Sequence, residues 1–250
     1  MIKLGIIGGS GLENLKLFTQ CEEIFCNTIF GEPSSSLFKG VMGNTEVVII
    51  SRHGRKHTIT PTNVNNRANI TALKEAGCTH IIGTTACGSL KEEIKPGDLV
   101  FLDQFIDFTR NRVLTFFDSF EPNNMKHTPM ADPFSKKLRT LLIDSAKELN
   151  LNYHSAGTVV TIEGPRFSTR AESKMFRYWG ADVINMSTAP EAALANEAEI
   201  PYAAIALSTD YDCWKINEEP VTWEAVLKIF NQNVSNVTSL LANVINKMNS

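Results

Sequence analysis

Cysteine is scarce in this 250-residue chain, and the five present, Cys21, Cys26, Cys78, Cys87 and Cys213, form no Cys-x-x-Cys pair. An odd, scattered set of thiols argues against a disulfide framework and a structural zinc site, and fits a reducing cytoplasm. Long apolar runs are missing too: no stretch approaches the roughly 20 residues that a membrane-spanning helix needs. The segment Met1-Ile2-Lys3-Leu4-Gly5-Ile6-Ile7-Gly8 has one positive charge and an apolar stretch too short for a secretory signal, so it reads as a first strand and the chain as soluble. Net charge is also small, at -3, which leaves no global attraction for nucleic acid. Repeats, low-complexity tracts and interdomain linkers are absent, so a single domain over 1–250 is expected, with 43% hydrophobic residues to fill its core.

What is present is an alternation of short β-rich apolar runs with helical patterns. Strands are predicted over 3–7, 46–51, 80–84, 98–102, 157–162, 182–186 and 203–208. Helices are predicted over 65–76, stopping at Gly77, over 133–149, over 169–179, stopping at Gly180, and over 190–198 and 223–248. That order implies an α/β fold: one large twisted mixed sheet flanked by helices on both faces. The stretch 107–127 has no period and reads as a long surface loop, an active-site lid or a subunit contact.

Residues with chemistry gather at the ends of the predicted strands. Gly8-Gly9-Ser10-Gly11 follows the first, where glycines let backbone N–H groups and the Ser10 hydroxyl approach an anion. It lacks both the Rossmann and the Walker spacing, so a ligand-free turn is the alternative. Ser51-Arg52-His53-Gly54-Arg55-Lys56-His57 is the densest cationic cluster; Arg52 can grip an oxyanion through paired N–H bonds and His53 can add a donor. A solvated basic loop is the bland alternative. A metal on His53 and His57 lacks an acidic ligand and a helical pattern. Gly83-Thr84-Thr85-Ala86-Cys87-Gly88-Ser89 offers hydroxyls and close approach, with Cys87 read as packing because no histidine partner is evident. Glu163-Gly164-Pro165-Arg166-Phe167-Ser168 sets an aromatic, able to stack on a heterocycle or fill the core, beside charge. Asn185-Met186-Ser187 supplies an amide, a polarisable thioether and a hydroxyl. Asp210-Tyr211-Asp212 leaves the buried run 202–209 with two carboxylates, read as recognition of a purine edge. Shared placement at strand ends favours one composite site over unrelated loops.

In that ordered series the chain resembles the purine nucleoside phosphorylase family, and within it the trimeric branch that acts on 5′-methylthioadenosine. The match runs from Gly5-Ile6-Ile7-Gly8-Gly9-Ser10-Gly11 through Arg52-His53-Gly54-Arg55, Thr84-Thr85-Ala86-Cys87-Gly88-Ser89-Leu90, Gln104-Phe105-Ile106-Asp107 and Glu163-Gly164-Pro165-Arg166-Phe167 to Asp210-Tyr211-Asp212-Cys213-Trp214. The resemblance implies a nucleoside phosphorylase-like fold and attack of inorganic phosphate, as co-substrate, on C1′ of a purine nucleoside, with no metal or organic cofactor. It implies phosphate on Ser10, Arg52, His53, Thr85, Ala86 and Ser187. Met186 would face the ribose, Phe167, Ser168 and Asn185 the nucleoside, and Asp210 and Asp212 the base, with Asp210 stabilising the departing purine. Ser187, Asp210 and Asp212 are thus the catalytic candidates. Carboxylates there favour a 6-amino over a 6-oxo purine; the 6-oxopurine members typically carry asparagine where Asp210 stands. Trp223 and Leu227 would line an apolar 5′ pocket, although relatives often have a smaller residue at 223, and His127 would reach in from the next subunit of a homotrimer. The alternatives are a 6-oxopurine or methylthioinosine phosphorylase, a nucleoside hydrolase, and a nucleotide-binding module without turnover.

Overall fold

The computed structural model describes residues 2–9, 18, 21–216 and 222–248, with the side chain of Trp223 outside that description. Among these residues eleven strands form one mixed sheet: β1 (Lys3–Gly8), β2 (Glu22–Ile24), β3 (Leu37–Met42), β4 (Thr45–Ser51), β5 (His80–Ser89), β6 (Leu99–Phe101), β7 (Gln104–Phe108), β8 (Tyr153–His154), β9 (Thr158–Ile162), β10 (Val183–Asn185) and β11 (Tyr202–Asp210). The helices are α1 (Asn66–Glu75), α2 (Lys136–Glu148), α3 (Arg170–Tyr178), α4 (Thr188–Glu197) and α5 (Trp223–Lys247). No helix among the described residues is long and apolar enough to cross a membrane, and all five cysteines are free.

The period-2 alternation of side chains gives the central strands two apolar faces. Ile7, Ile81, Ala204 and Ala206 point into one layer with Ile70 and Leu73 of α1 and Leu194 of α4. Their neighbours Ile6, Ile82, Ile205 and Leu207 point into the other, with Leu138 and Leu142 of α2 and Leu240 and Leu241 of α5. A third cluster packs Phe176 of α3 on Val160, Ile162 and Ile184. Helix starts follow capping chemistry: Asn65, Ser135 and Thr222 accept from backbone N–H groups, and Thr169 with Glu172 forms a reciprocal box. Gly77 and Gly180, at φ 83° and 87°, end α1 and α3 in the left-handed conformation.

The sheet branches at β5, and the branch positions the site. Residues 81–88 of β5 run parallel to β11, while Gly88 and Ser89 pair antiparallel with β10. β5 therefore continues to Ser89 rather than stopping at Thr84, so Thr85 and Ala86 are strand residues. β2, β3, β7 and β8 were not predicted, and Asp107 lies in β7 rather than in the loop, which begins at Thr109. α4 starts two residues before Pro190, because proline is tolerated in a first helical turn.

Phe101 is fully buried and stacks 5.6 Å from Tyr153. Phe101→Ala should cost about 3–5 kcal/mol in urea unfolding; a loss under about 1 kcal/mol would mean that this layer is not close-packed.

Candidate active site

The carboxyl-end residues of β4, β5, β10 and β11 bound a single cleft. Arg52, His53, Thr85, Ala86, Ser187, Asp210 and Asp212 all line it.

Arg52 follows β4, and its backbone N–H donates to Gly8 O, joining the end of β1. Its guanidinium is buried. Nε and Nη2 form a fork on the two carboxylate oxygens of Glu191, the second at 3.0 Å, and Nη1 donates to Thr84 O at 2.7 Å. Tyr202 Oη also donates to Glu191 Oε2, at 2.8 Å. A methyl built on Gly9 would stand 2.4 Å from Arg52 Nη1 and 2.3 Å from Thr84 O, and one on Gly83 would stand 2.3 Å from Tyr202 Oη. Both glycines are therefore required by close approach to the pair. His53 Nδ1 lies 2.9 Å from Ile59 O. A carbonyl can only accept, so this contact places a proton on Nδ1. His57 lies against it, ring centroids 4.5 Å apart, and no group of three or more His, Cys, Asp or Glu able to hold a metal occurs among the described residues.

Thr85 Oγ1 and Ser187 Oγ are 3.2 Å apart. Asn185 links them to the frame: its Nδ2 donates to Thr188 Oγ1 at 2.5 Å and to Thr85 Oγ1 at 3.3 Å, while its Oδ1 accepts from Thr161 Oγ1 at 2.9 Å. Ser187 caps α4 by position, yet its hydroxyl makes no capping bond. The first N–H groups of α4 are instead met by Asn185 Oδ1 and Thr161 Oγ1.

Asp210 ends β11. Its carboxylate accepts from Thr209 Oγ1 at 2.8 Å and from Asp212 N at 2.7 Å. Burial nonetheless pushes its pKa up to about 6, with the nearby Asp212 charge a smaller contribution in the same direction. Asp212 holds a left-handed backbone at φ 49° and accepts from Ser168 Oγ at 2.6 and 2.7 Å. Ser168 lines the cleft itself and orients Asp212 there. Cys87 lines the cleft, but burial, followed by the Asp210 charge, pushes its thiol far above the ordinary value, which disfavours a thiolate nucleophile.

Phe167 and Met186 face the cleft as expected, Phe167 being exposed at its rim and not a core residue. Leu227 does not line it; Val226, one residue away around α5, does. His127 stacks edge-on against Phe120, outside its own chain's cleft. Ser10 lies outside the described residues, as does the Trp223 side chain. Glu163 is not in the cleft either, but binds the loop over 110–112. The residue most plainly missed is Glu191. Its signal was available: a carboxylate in the apolar run Ala189-Pro190-Glu191-Ala192-Ala193-Leu194 has to be buried, and a buried carboxylate requires a partner.

Residues 3–246 match the model of the phosphorylase superfamily. The chain belongs to that superfamily. A Xenopus tropicalis protein of the superfamily, named S-methyl-5′-thioadenosine phosphorylase, is 56% identical over 248 residues, 98% of this chain and 88% of the relative. Methylthioadenosine phosphorylase from Schistosoma mansoni, solved in complex with adenine, superposes with a TM-score of 0.95 at 42% identity, covering 100% of this chain and 92% of that one. A variant of the adenosine/methylthioadenosine phosphorylase of the same organism, solved with methylthioadenosine, gives 0.94 at 41% identity over 100% and 92%. The fold of this phosphorylase-superfamily chain is accordingly that of the nucleoside phosphorylases.

Two measurements probe the site itself. A carboxyl whose pKa rises from 3.8 unfolded to about 6 folded binds more protons in the native state, so its ionisation lowers stability as pH rises through that window, by about 3 kcal/mol in all. Asp210→Asn should remove this slope, seen as a stability difference from the parental chain that grows in the variant's favour between pH 4 and 6.5; parallel curves would contradict it. Glu191→Ala should cost about 3–5 kcal/mol in unfolding free energy, because Arg52 is left buried beside a missing partner. A cost below about 1 kcal/mol would show that solvent reaches the guanidinium.

Proposed function

We propose that this chain cleaves S-methyl-5′-thioadenosine with inorganic phosphate, giving adenine and 5-methylthioribose 1-phosphate. The observation carrying this reading is that the Arg52, Thr85 and Ser187 donors and the Asp210–Asp212 pair line one cleft. The names and ligands of the similar proteins support the substrate.

In this reading phosphate is held by Arg52, His53, Thr85, the backbone of Ala86, Ser187 and Ser10. As the glycosidic bond stretches, positive charge grows on the sugar and negative charge on the purine, so an anion behind C1′ and an acid at N7 both lower the barrier. Asp210 is that acid. With a pKa of about 6 it is protonated about one time in ten at pH 7, far more than an ordinary carboxyl, and purine binding draws the proton further onto it or into a bond shared with N7. Asp212, oriented by Ser168, accepts from the 6-amino group. Met186 lies against the ribose and Phe167 against the base, while Asn185, which lines the cleft and donates to Thr85 Oγ1, completes the nucleoside-binding wall. Trp223 and Leu227 are assigned to the 5′ pocket, together with Val226, which lines the cleft.

The reading includes a homotrimer in the cytoplasm, with the partner subunit's His127 completing the 5′ end. It requires no metal or organic cofactor. Phosphorolysis of methylthioadenosine, adenosine, inosine and methylthioinosine, each with and without phosphate, tests it. Methylthioadenosine should be preferred and its cleavage should depend on phosphate, with Asp210→Ala lowering kcat by about 10²-fold or more. Preference for either inosine compound would reassign the substrate, and phosphate-independent adenine release would make the chain a hydrolase.

A further inference from the structure

Between the wall that carries Phe167 and the wall that carries Met186 lies a side chain assigned no role so far. Arg112, on the irregular segment after β7, has a side chain only 2% exposed. Its Nη2 donates to Glu163 O at 2.6 Å and its Nη1 to Met186 O at 3.1 Å, while Nε donates to Glu163 Oε1 at 2.8 Å. One planar guanidinium thereby ties together the carbonyl that opens the Gly164-Pro165-Arg166-Phe167 turn and the carbonyl of the residue facing the cleft from β10. The other oxygen of Glu163 accepts from Arg110 N at 2.6 Å and Asn111 N at 2.8 Å, which fixes the segment bearing the arginine. The two walls are already in contact: a methyl built on Gly164 would stand 2.4 Å from Met186 Sδ. A small shift of either wall therefore moves the other.

We propose that Arg112 and Glu163 are positioning residues that hold Met186 and the Phe167 turn at the spacing a nucleoside needs, without touching the substrate. This deepens the proposed function and rests on its assignment of Met186 and Phe167 to the nucleoside. Glu163 is suited to the part as a lasting anion: burial acts to raise its pKa, but the hydrogen bonds from Arg110 N, Arg112, Asn111 N and Thr62 prevail and hold it at about 2. Farther along, Thr115 Oγ1 and Phe116 N bond the carboxylate of Glu197 on α4, so the segment is anchored at both ends of the clasp. Lysine cannot replace the arginine, since an ammonium is a point donor and cannot span three acceptors in one plane.

Calorimetry on the full chain tests the clasp with methylthioadenosine, in the absence of phosphate, and separately with sulfate as a probe of the anion cradle. Arg112→Lys should weaken nucleoside binding by about tenfold or more while sulfate binding changes less than about threefold, since small misplacements of binding groups have large effects. Glu163→Gln should weaken the nucleoside in the same direction, and the double variant should be no worse than Arg112→Lys, because both changes remove one shared interaction. Nucleoside binding within about twofold of parental in both single variants would overturn the proposal, as would equal weakening of nucleoside and sulfate, which marks general loosening. If Arg112→Lys does not fold, Glu163→Gln decides by the same comparison. Parental turnover is read separately, so a chain that binds the nucleoside but does not consume it refutes the reaction and not the clasp.

Discussion

Arg52 and Glu191 stand 2% and 1% exposed between the ends of the central strands, and neither charge is tolerable there alone. Their fork joins parts of the chain far apart in sequence: the end of β4, the first turn of α4, Thr84 of β5 and Tyr202 of β11, with Gly9 pressed against the guanidinium. Hydrophobic burial brings these elements together without direction, whereas the fork has one geometry. Assembling the core and aiming Arg52 into the cleft are consequently one event. The same pairing sets the cleft's electrostatics, since Glu191 offsets the arginine charge. In the proposed reaction, phosphate would then be recognised largely by directed N–H and O–H donors rather than by excess positive charge.

The branching of the sheet at β5 explains why unlike chemistries share one cleft. A ten-residue strand pairs with β11 along most of its length, with β1 only over His80–Gly83 and with β10 at its last two residues, so the tips of several strands converge. β5 contributes Thr85, β10 leads to Met186 and Ser187, and β11 ends at Asp210. Small residues permit the crowding: a methyl on Gly88 would lie 3.0 Å from Asp210 Oδ1. Enclosure in turn gives Asp210 its raised pKa, so its titration follows from the packing that surrounds it.

Much of this was readable in advance, for identifiable reasons. Apolar runs such as 203–208 and glycine stops such as Gly77 are local signals, and the strands and helices they mark stand where expected to within a few residues. β8, two residues long, and β3, with Lys39 and Gly40 in its middle, carry no alternation strong enough to recognise. That Arg52, Thr85, Ser187 and Asp210 line one cleft was legible because all four stand at or just beyond the ends of predicted buried strands. Partnership was not. That Glu191 meets Arg52 depends on contacts across 139 positions, and that Glu163 turns toward Arg112 instead of the cleft depends on a loop without periodicity. Leu227 and Val226 differ by one step around a helix, a distinction that helical spacing leaves open until the helix is docked.

The central claim is that an anion and a purine occupy the same cleft, one on the Arg52 cradle and the other on Asp210. A crystal structure of the chain soaked with sulfate and a non-cleavable methylthioadenosine analogue tests this most directly. The account predicts sulfate within hydrogen-bonding distance of Arg52, Thr85 and Ser187, and purine N7 within hydrogen-bonding distance of an Asp210 carboxyl oxygen, with the sugar between them. Sulfate bound elsewhere while the purine fills the cleft, or a purine turned away from Asp210, would contradict it.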